Sequence, residues 1–597
     1  MVLLTTLARI DVKLIAPLLA VVQILIVNIS ENFKYQNYPP QANCTDGDSF
    51  DFIIIGGGGA GCVIANRLSE MSNWSVLVIE AGEDPPLASD SPGISTLVAP
   101  KLPRWEFSST DDQYSSQALQ SKKIVYSQGK MTGGSSGLNF MYYVKGNDKD
   151  FAEWVDKGNK NWDAEMARKY YYKSERFTDK EILGSETGPL HNTKGYLGVT
   201  KYDWQKETEE LFSALKQNGR KILQDTNGNE QIGYSLPQFS IADKLRQSSI
   251  VSYIRPINRP NLSLLRSNYV SKITIVGDVA TGVEVTDKDG NVKKLKAKKE
   301  VILSAGAIKS PQVLMVSGIG PKDELRKYNI PVVIDSPHVG ANFHDHLIIP
   351  IMISGKKDFL FKSYLSDLDV LTKIDEFPKP CVMGFAALDK NDTRPQYQVK
   401  AFPFPHGSLF STLMCVEVFR WNQKICENIA EASHHDALFA LIVLLHPKSR
   451  GYVRIKSNNP EDNPVITTNY FADKEDIHTF ARSAEDFVSI VNTPVFKNSY
   501  MKVADLGVEQ CKRITFATPK YWECYVLNMA STLYHPVGTC AMGPKGVVDE
   551  DLLVRGLKNL RVVDASVMPT IVSGNTYATV AMIAERAADI IKSKHSA

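Results

Sequence analysis

The chain has 597 residues, too many for one ordinary hydrophobic core. Hydrophobic residues make up 43% and charged residues 22%, a globular balance that excludes global disorder and a coiled coil. Lys plus Arg (68) against Asp plus Glu (66) leaves a formal charge of +2, so no bulk charge draws the protein to nucleic acid or to an anionic membrane.

Behind Arg9, Asp11 and Lys13, the stretch from Leu14 to Ile29 is apolar except for Pro17, Gln23 and Asn28. It is short for a membrane span of about 20 residues and suits the apolar core of a secretory signal. Residues 1–30 are read as a signal peptide, or as a signal anchor if uncleaved, the one route by which a membrane becomes a partner. Asn-x-Ser/Thr triplets at Asn28, Asn43, Asn73, Asn261 and Asn391 agree with a secreted or extracellular glycoprotein. Eight cysteines are too sparse for a disulfide-built scaffold, though Cys415 and Cys426 could pair. No metal is expected: there is no Cys-x-x-Cys, and His344-Asp345-His346 lacks a third ligand.

Asp51-Phe-Ile-Ile-Ile-Gly56 reads as a buried parallel strand, followed at once by Gly-Gly58-Gly-Ala-Gly61 and an apolar helix. Gly56 makes the tight turn, Gly58 lets backbone approach a pyrophosphate, and Gly61 lets the helix pack closely on the strand. A second strand, Ser75 to Ile79, ends in Glu80, 19 residues past Gly61, where a carboxylate accepts the hydroxyls of an adenosine ribose. Strand, glycines, helix, strand and acid in register predict FAD or NAD, and an acid at this position disfavours NADP.

Gly129 to Gly146, with Gly133-Gly-Ser-Ser-Gly-Leu138-Asn139-Phe-Met141 inside it, resembles the first signature of the glucose–methanol–choline (GMC) oxidoreductases. Val301 to Pro321 resembles the second, and Val339 to His346, His446 to Gly451, His535-Pro-Val-Gly-Thr539 and Val563 to Pro569 complete the set in the family's order. The variants look most like the insect glucose dehydrogenase and alcohol oxidase branch. The resemblance implies an α/β fold: a Rossmann-like FAD-binding domain with an interleaved α+β substrate-binding domain built on an antiparallel sheet. It places the FAD unit at 48–154, 244–347 and 543–596, and the substrate unit at 155–243 and 348–542. It further implies that Gly133, Asn139 and Met141 line the flavin, that Val270 offers backbone to the adenine, and that Asp564, Ala565 and Thr576 belong to the cofactor site. Leu138 stands where some members carry a histidine bonded to the flavin, so FAD is expected to be non-covalent; Lys145 stands where the family commonly has Arg.

Oxidising an alcohol by hydride transfer to flavin N5 requires a protein base for the hydroxyl proton. A mostly neutral histidine suits that task, and His535 matches the family's catalytic histidine. The second catalytic position falls on Asn575, whose amide can donate to an oxygen that is gaining negative charge. Asn575 also precedes an apolar-periodic segment, Ala578 to Ile591, and so reads equally as a helix N-cap. The expected reaction is oxidation of a small-molecule alcohol to an aldehyde or ketone, with O2 or a quinone as the final acceptor. Sugars, aromatic alcohols and ecdysteroids are precedents among insect-like members. A hydroxynitrile-type lyase and a non-catalytic secreted binding protein are the alternatives. Residues 350–404 have little period and are expected to line or cover the substrate entrance.

Overall fold

The computed structural model describes residues 38–356, 374–377 and 379–596. The signal segment expected at 1–30 lies outside them, as does part of 350–404.

Ser49–Ile55 form β1, whose last four residues are all buried, the continuous apolar run of a strand covered on both faces. Helix α1 (Gly61–Leu68) carries the chain over to β2 (Val76–Ile79), which pairs with β1 in parallel. The chain then leaves this sheet and returns at β3 (Leu262–Leu265), parallel to the far edge of β2. β4 (Asn268–Val276), β5 (Val279–Asp287) and β6 (Val292–Leu303) follow as an antiparallel meander. β6 is long enough to serve two neighbours on one edge: its first residues pair with β5, and Val301–Leu303 pair in parallel with Leu560–Val562. Its other edge lies parallel to β1, so the order is β3-β2-β1-β6-β5-β4. This is the expected Rossmann-like sheet. Helix α2 (Gly306–Val316) leaves the end of β6.

The second sheet is antiparallel: β7 (Leu347–Ser354), β8 (Val382–Ala386), β9 (Tyr397–Phe404) and β10 (Ala437–Leu444), in the order β7-β10-β9-β8. Gly233–Ser235 extends it beyond β8, and Lys502–Val503 extends it beyond β7. Three of these strands fall in or across 350–404, where the sequence shows little period. Every residue of β8 and β9 is buried. Gly384 nonetheless interrupts the apolar run of β8, and Gln398 and Lys400 put polar residues at buried positions of β9, so neither reads as the continuous apolar run of a buried strand. The last helix, α3 (Tyr577–Ser596), packs on α1, and Arg67 of α1 grips Glu585 of α3 with two bonds of 2.8 Å.

The two cores interleave more finely than the sequence ranges. From the 155–243 stretch, Trp162, Tyr171 and Val199 pack in the core of the Rossmann sheet, whereas Trp204, Leu211 and Tyr234 pack in the second core. Tyr126 and Met141, from the first range, also join the second core. Cys415–Cys426 form a disulfide, and so do Cys511–Cys524, a pair the sequence reading did not anticipate. Asn43, Asn73 and Asn391 are exposed, as glycan acceptors need to be. Asn261 is different: its amide nitrogen donates to the carbonyls of Ser69, Met71 and Trp74, so it ties the end of α1 to β3 and is poorly placed to carry a glycan. Among the described residues, no helix is long and apolar enough to cross a membrane.

Candidate active site

One cavity of about 810 Å³ runs from the glycine turn of β1 to the antiparallel sheet. Gly56, Gly58, Glu80, Asn139, Met141, Val270, His535, Asp564, Ala565, Asn575 and Thr576 all line it. Gly61 and Gly133 stand behind the wall, and each has a packing reason to be glycine. A Cβ on Gly61 would lie 1.9 Å from the carbonyl oxygen of Gly56, the close helix–strand approach read from the sequence. Gly133 has φ +96° and donates its N–H to Gly57 O at 2.6 Å, so it sets the turn that lets Gly134 line the cavity in its place.

The glycine turn fits a dinucleotide. No side chain caps α1, so the first amides of the helix are left for an anion, and its dipole favours negative charge there. A Cβ on Gly58 would meet nothing nearer than Gly134 Cα at 3.8 Å, leaving bare backbone toward the cavity. Glu80 accepts from the N–H groups of Gly57 (2.9 Å) and Gly82 (2.8 Å) and keeps its remaining lone pairs for a ligand. Burial pushes its carboxyl up to about 7, against the downward pull of those amide donors.

At the far end of this turn, Asp564 is buried and fully engaged. It accepts from Gly306 N (2.8 Å) and Ser310 Oγ (2.6 Å) with one oxygen and from Ser566 N (2.8 Å) with the other. It thus clamps the start of α2 and leaves the backbone of Ala565 on the cavity wall. Arg246, fully buried, holds the other glycine loop: it donates to Asn139 O (2.6 Å), Asn139 Oδ1 (2.7 Å), Ser89 O (2.6 Å) and Ser95 Oγ (2.8 Å). Burial brings its guanidinium down to about 10. Nothing in the local pattern marks Arg246, because its partners are backbone and side-chain oxygens brought together by the fold.

His535 and Asn575 meet. Asn575 Nδ2 lies 3.2 Å from His535 Nε2, so the side chain of Asn575 turns to the imidazole and not back to the helix it precedes. His535 Nδ1 lies 2.9 Å from His346 Nδ1. An amide donor at Nε2 requires a lone pair there, which places the His535 proton on Nδ1, donated to His346. His535 therefore presents its basic nitrogen to the cavity. Burial first, then the nearby His346 and Lys400, hold its pKa well below the ordinary histidine value, so it is neutral.

The segment His344-Asp345-His346, read from sequence against a metal site, organises this histidine. Asp345 accepts from the His535 backbone N–H (2.9 Å), from Tyr470 (3.2 Å) and from Thr532 Oγ1. His344 bonds the Asn342 carbonyl at 2.7 Å, away from His346. Asn575 is fixed from the other side, since Asp150 accepts from Ser573 N (2.6 Å), Ser573 Oγ (2.8 Å) and Arg394 Nε (2.9 Å). Gly574 has φ +132°, and a Cβ there would lie 2.3 Å from Val144, so the turn into Asn575 demands glycine. The motif Val339 to His346, in the family's order, is the signal that could have placed Asp345 and His346 here; Asp150 carries none.

Fold and site together define a dinucleotide-dependent oxidoreductase with a histidine–amide pair at the end of its cofactor groove. A family model described as GMC oxidoreductase matches residues 50–348 and again 447–584. An ecdysone oxidase of Spodoptera littoralis is 34% identical over 582 residues, spanning 95% of each chain. A glucose dehydrogenase [FAD, quinone] of Drosophila melanogaster is 31% identical over 565 residues, 91% of this chain and 87% of that protein. Among solved structures, a formate oxidase of Aspergillus oryzae superposes with a TM-score of 0.78 at 26% identity, covering 93% of this chain and all of that one. The chain belongs to the GMC oxidoreductase family and is an FAD-dependent oxidoreductase of alcohols.

Proposed function

We propose that His535 is the base that removes the hydroxyl proton of the alcohol and that Asn575 donates a hydrogen bond to the same oxygen as it becomes alkoxide-like. The observation that carries this reading is the 3.2 Å contact between Asn575 Nδ2 and His535 Nε2 on the cavity wall, two groups that a substrate oxygen can engage together. Bound FAD supplies the hydride acceptor. Its pyrophosphate is assigned to the start of α1 with Gly56 and Gly58, its ribose to Glu80, and the remaining contacts to Asn139, Met141, Val270, Ala565 and Thr576. Leu138 on the same wall has no group that can bond covalently to a flavin, which supports a dissociable cofactor. In this reading the Rossmann sheet serves FAD and the antiparallel sheet serves the substrate.

Tyr142, Phe377, Phe402, Met414, Phe419 and Leu441 line the substrate end. Such a wall favours an apolar skeleton, aromatic or steroid-like, over a sugar, and relatives named ecdysone oxidase agree with it. The electron acceptor is O2 or a quinone. The exposed sequons and the 1–30 segment support passage through the secretory pathway.

An anaerobic panel of alcohols read at the flavin absorbance, followed by exposure to air or quinone, tests the scheme. Bleaching by an apolar alcohol is expected. His535→Ala should slow it by about 10²–10⁴-fold, and Asn575→Ala by about 10²–10³-fold, as for one oxyanion donor. Equal rates in His535→Ala and the parent across pH would remove His535 from the reaction.

A further inference from the structure

Lys400 lies on β9 between Gln398 and Phe402 on the same face, and it is only 3% exposed. Lys400 and Phe402 both open on the cavity, and its cross-strand partner on β10, Leu441, lines the cavity beside it. Its ammonium sits over the Tyr142 ring, 4.6 Å from the centroid. Among the described residues, no carboxylate pairs with Lys400 and no oxygen accepts a hydrogen bond from it. This contrasts with two other deeply buried cations among the described residues. Arg561 pairs with Glu300, and Arg246 is enclosed by oxygens. A ring face compensates a buried ammonium only in part, and three N–H donors remain.

Lys400 also belongs to the reacting end of the cavity. Its charge helps to depress both His346 and His535. Phe402, Phe377 and Leu441 line the same cavity, so the Lys400 ammonium stands among apolar side chains. We propose that Lys400 is the specificity residue for an anionic oxygen group on the substrate, so that the enzyme takes apolar alcohols that carry a carboxylate. A single ammonium matches a monoanion better than a phosphate dianion. A neutral keto or hydroxyl oxygen would leave the charge uncompensated. Burial brings the free amine down to about 7, and binding a carboxylate restores its charged form. This inference rests on the substrate reading above for the identity of the pocket, but its test does not require turnover.

The FAD-loaded protein is titrated with 4-phenylbutanoate and with the uncharged 4-phenylbutanamide, neither of which is an alcohol, and binding is read by calorimetry and by perturbation of the flavin spectrum. The carboxylate should bind roughly 10- to 100-fold more tightly than the amide, the range for a charge-assisted hydrogen bond. Lys400→Met should abolish that preference, and Lys400→Arg, which keeps the charge, should retain most of it. FAD content and thermal midpoint report whether each variant is folded, and a misfolded Lys400→Met leaves Lys400→Gln to make the same comparison. A preference for the carboxylate that survives loss of the ammonium overturns the proposal, as does equal binding of the two probes by the parent. A shifted flavin spectrum in Lys400→Met with unchanged carboxylate affinity also overturns it, and assigns the lysine to the cofactor. Failure of every alcohol to bleach the flavin, with the binding preference intact, would count against the oxidation chemistry and not against Lys400.

Discussion

At the residue scale, the proton inventory of the site turns on one amide. Asn575 keeps Nε2 of His535 as an acceptor, and His346 takes the proton on the other side of the ring. Asn575→Asp places acceptor oxygens against Nε2 and so calls for an N–H there, which puts the basic lone pair on the wrong nitrogen. Flavin reduction should fall by about 10²–10⁴-fold, as far as with loss of the base, while FAD content stays at the parental level. Stopped-flow reduction alongside flavin quantitation checks this, and near-parental rates in the variant would contradict the assigned tautomer. The same environment sets the pH profile. His535 is held below its usual pKa by burial and by its two cationic or imidazole neighbours, so it stays unprotonated as pH falls through the ordinary histidine value of about 6.5. The acid limb of flavin reduction should therefore lie well below that value. A limb at or above it would mean that the substrate end is wetter or less positive than the geometry implies.

Between elements, a buried cluster holds the first strand of the 155–243 stretch to its loops. Lys145 Nζ lies 3.2 Å from Glu175, His191 Nδ1 lies 3.1 Å from Glu175, and His191 Nε2 lies 2.9 Å from Asp225. Burial pulls the His191 pKa down, but the bonds to Asp225 and Glu175 outweigh it and raise the value. Its stabilising contribution is complete below the unfolded value of about 6.5 and fades as pH rises through the raised folded value. Asp225 is the mirror case: burial raises it, His191 outweighs that and lowers it, and its contribution fades as pH falls through the depressed value. His191→Gln should cost about 3–5 kcal/mol, the penalty for opening a buried ion pair. It should also flatten the decline of the thermal midpoint as pH rises above the ordinary histidine value of about 6.5. Thermal melts across that range decide it; parallel curves for parent and variant would make the cluster inert. None of this cluster was legible in the sequence, apart from Lys145 standing where the family commonly has Arg. Its members lie up to 80 residues apart, at Lys145 and Asp225, and only the fold assembles them. By contrast β1, the glycine turn, α1 and β2 were legible, because parallel strands and a phosphate turn write their constraints into adjacent residues. The antiparallel sheet was half legible: β10 is one continuous apolar run, while Gly384 breaks that run in β8 and the buried Gln398 and Lys400 break it in β9. Asn575 was readable as either a cap or a site residue, and the contact with His535 decides where its side chain goes.

At the scale of the whole molecule, the cavity proposed for the cofactor lies where segments distant in sequence converge. The cavity wall takes Gly56 and Glu80 from the first crossover, Val270 from the meander, and Asp564, Asn575 and Thr576 from the end of the chain. A dissociable FAD bound there would stabilise every one of those segments by mass action. Acid or heat should release about one FAD per chain from purified protein, and added FAD should raise the thermal midpoint of the stripped protein. Flavin that stays with the denatured polypeptide would refute the non-covalent assignment. The same convergence has a consequence for how the protein is made. The Val301–Leu303 edge of β6 is an apolar strand whose parallel neighbour, Leu560–Val562, is translated some 250 residues later. At about 5–20 residues per second the ribosome takes on the order of 10–50 s to supply it. During that interval the nascent chain carries an unpaired hydrophobic edge, a template for association with other chains. Loading of FAD then waits on the segment that carries Asp564, Asn575 and Thr576, and the yield of active enzyme depends on whatever shields that edge until Leu560–Val562 are made.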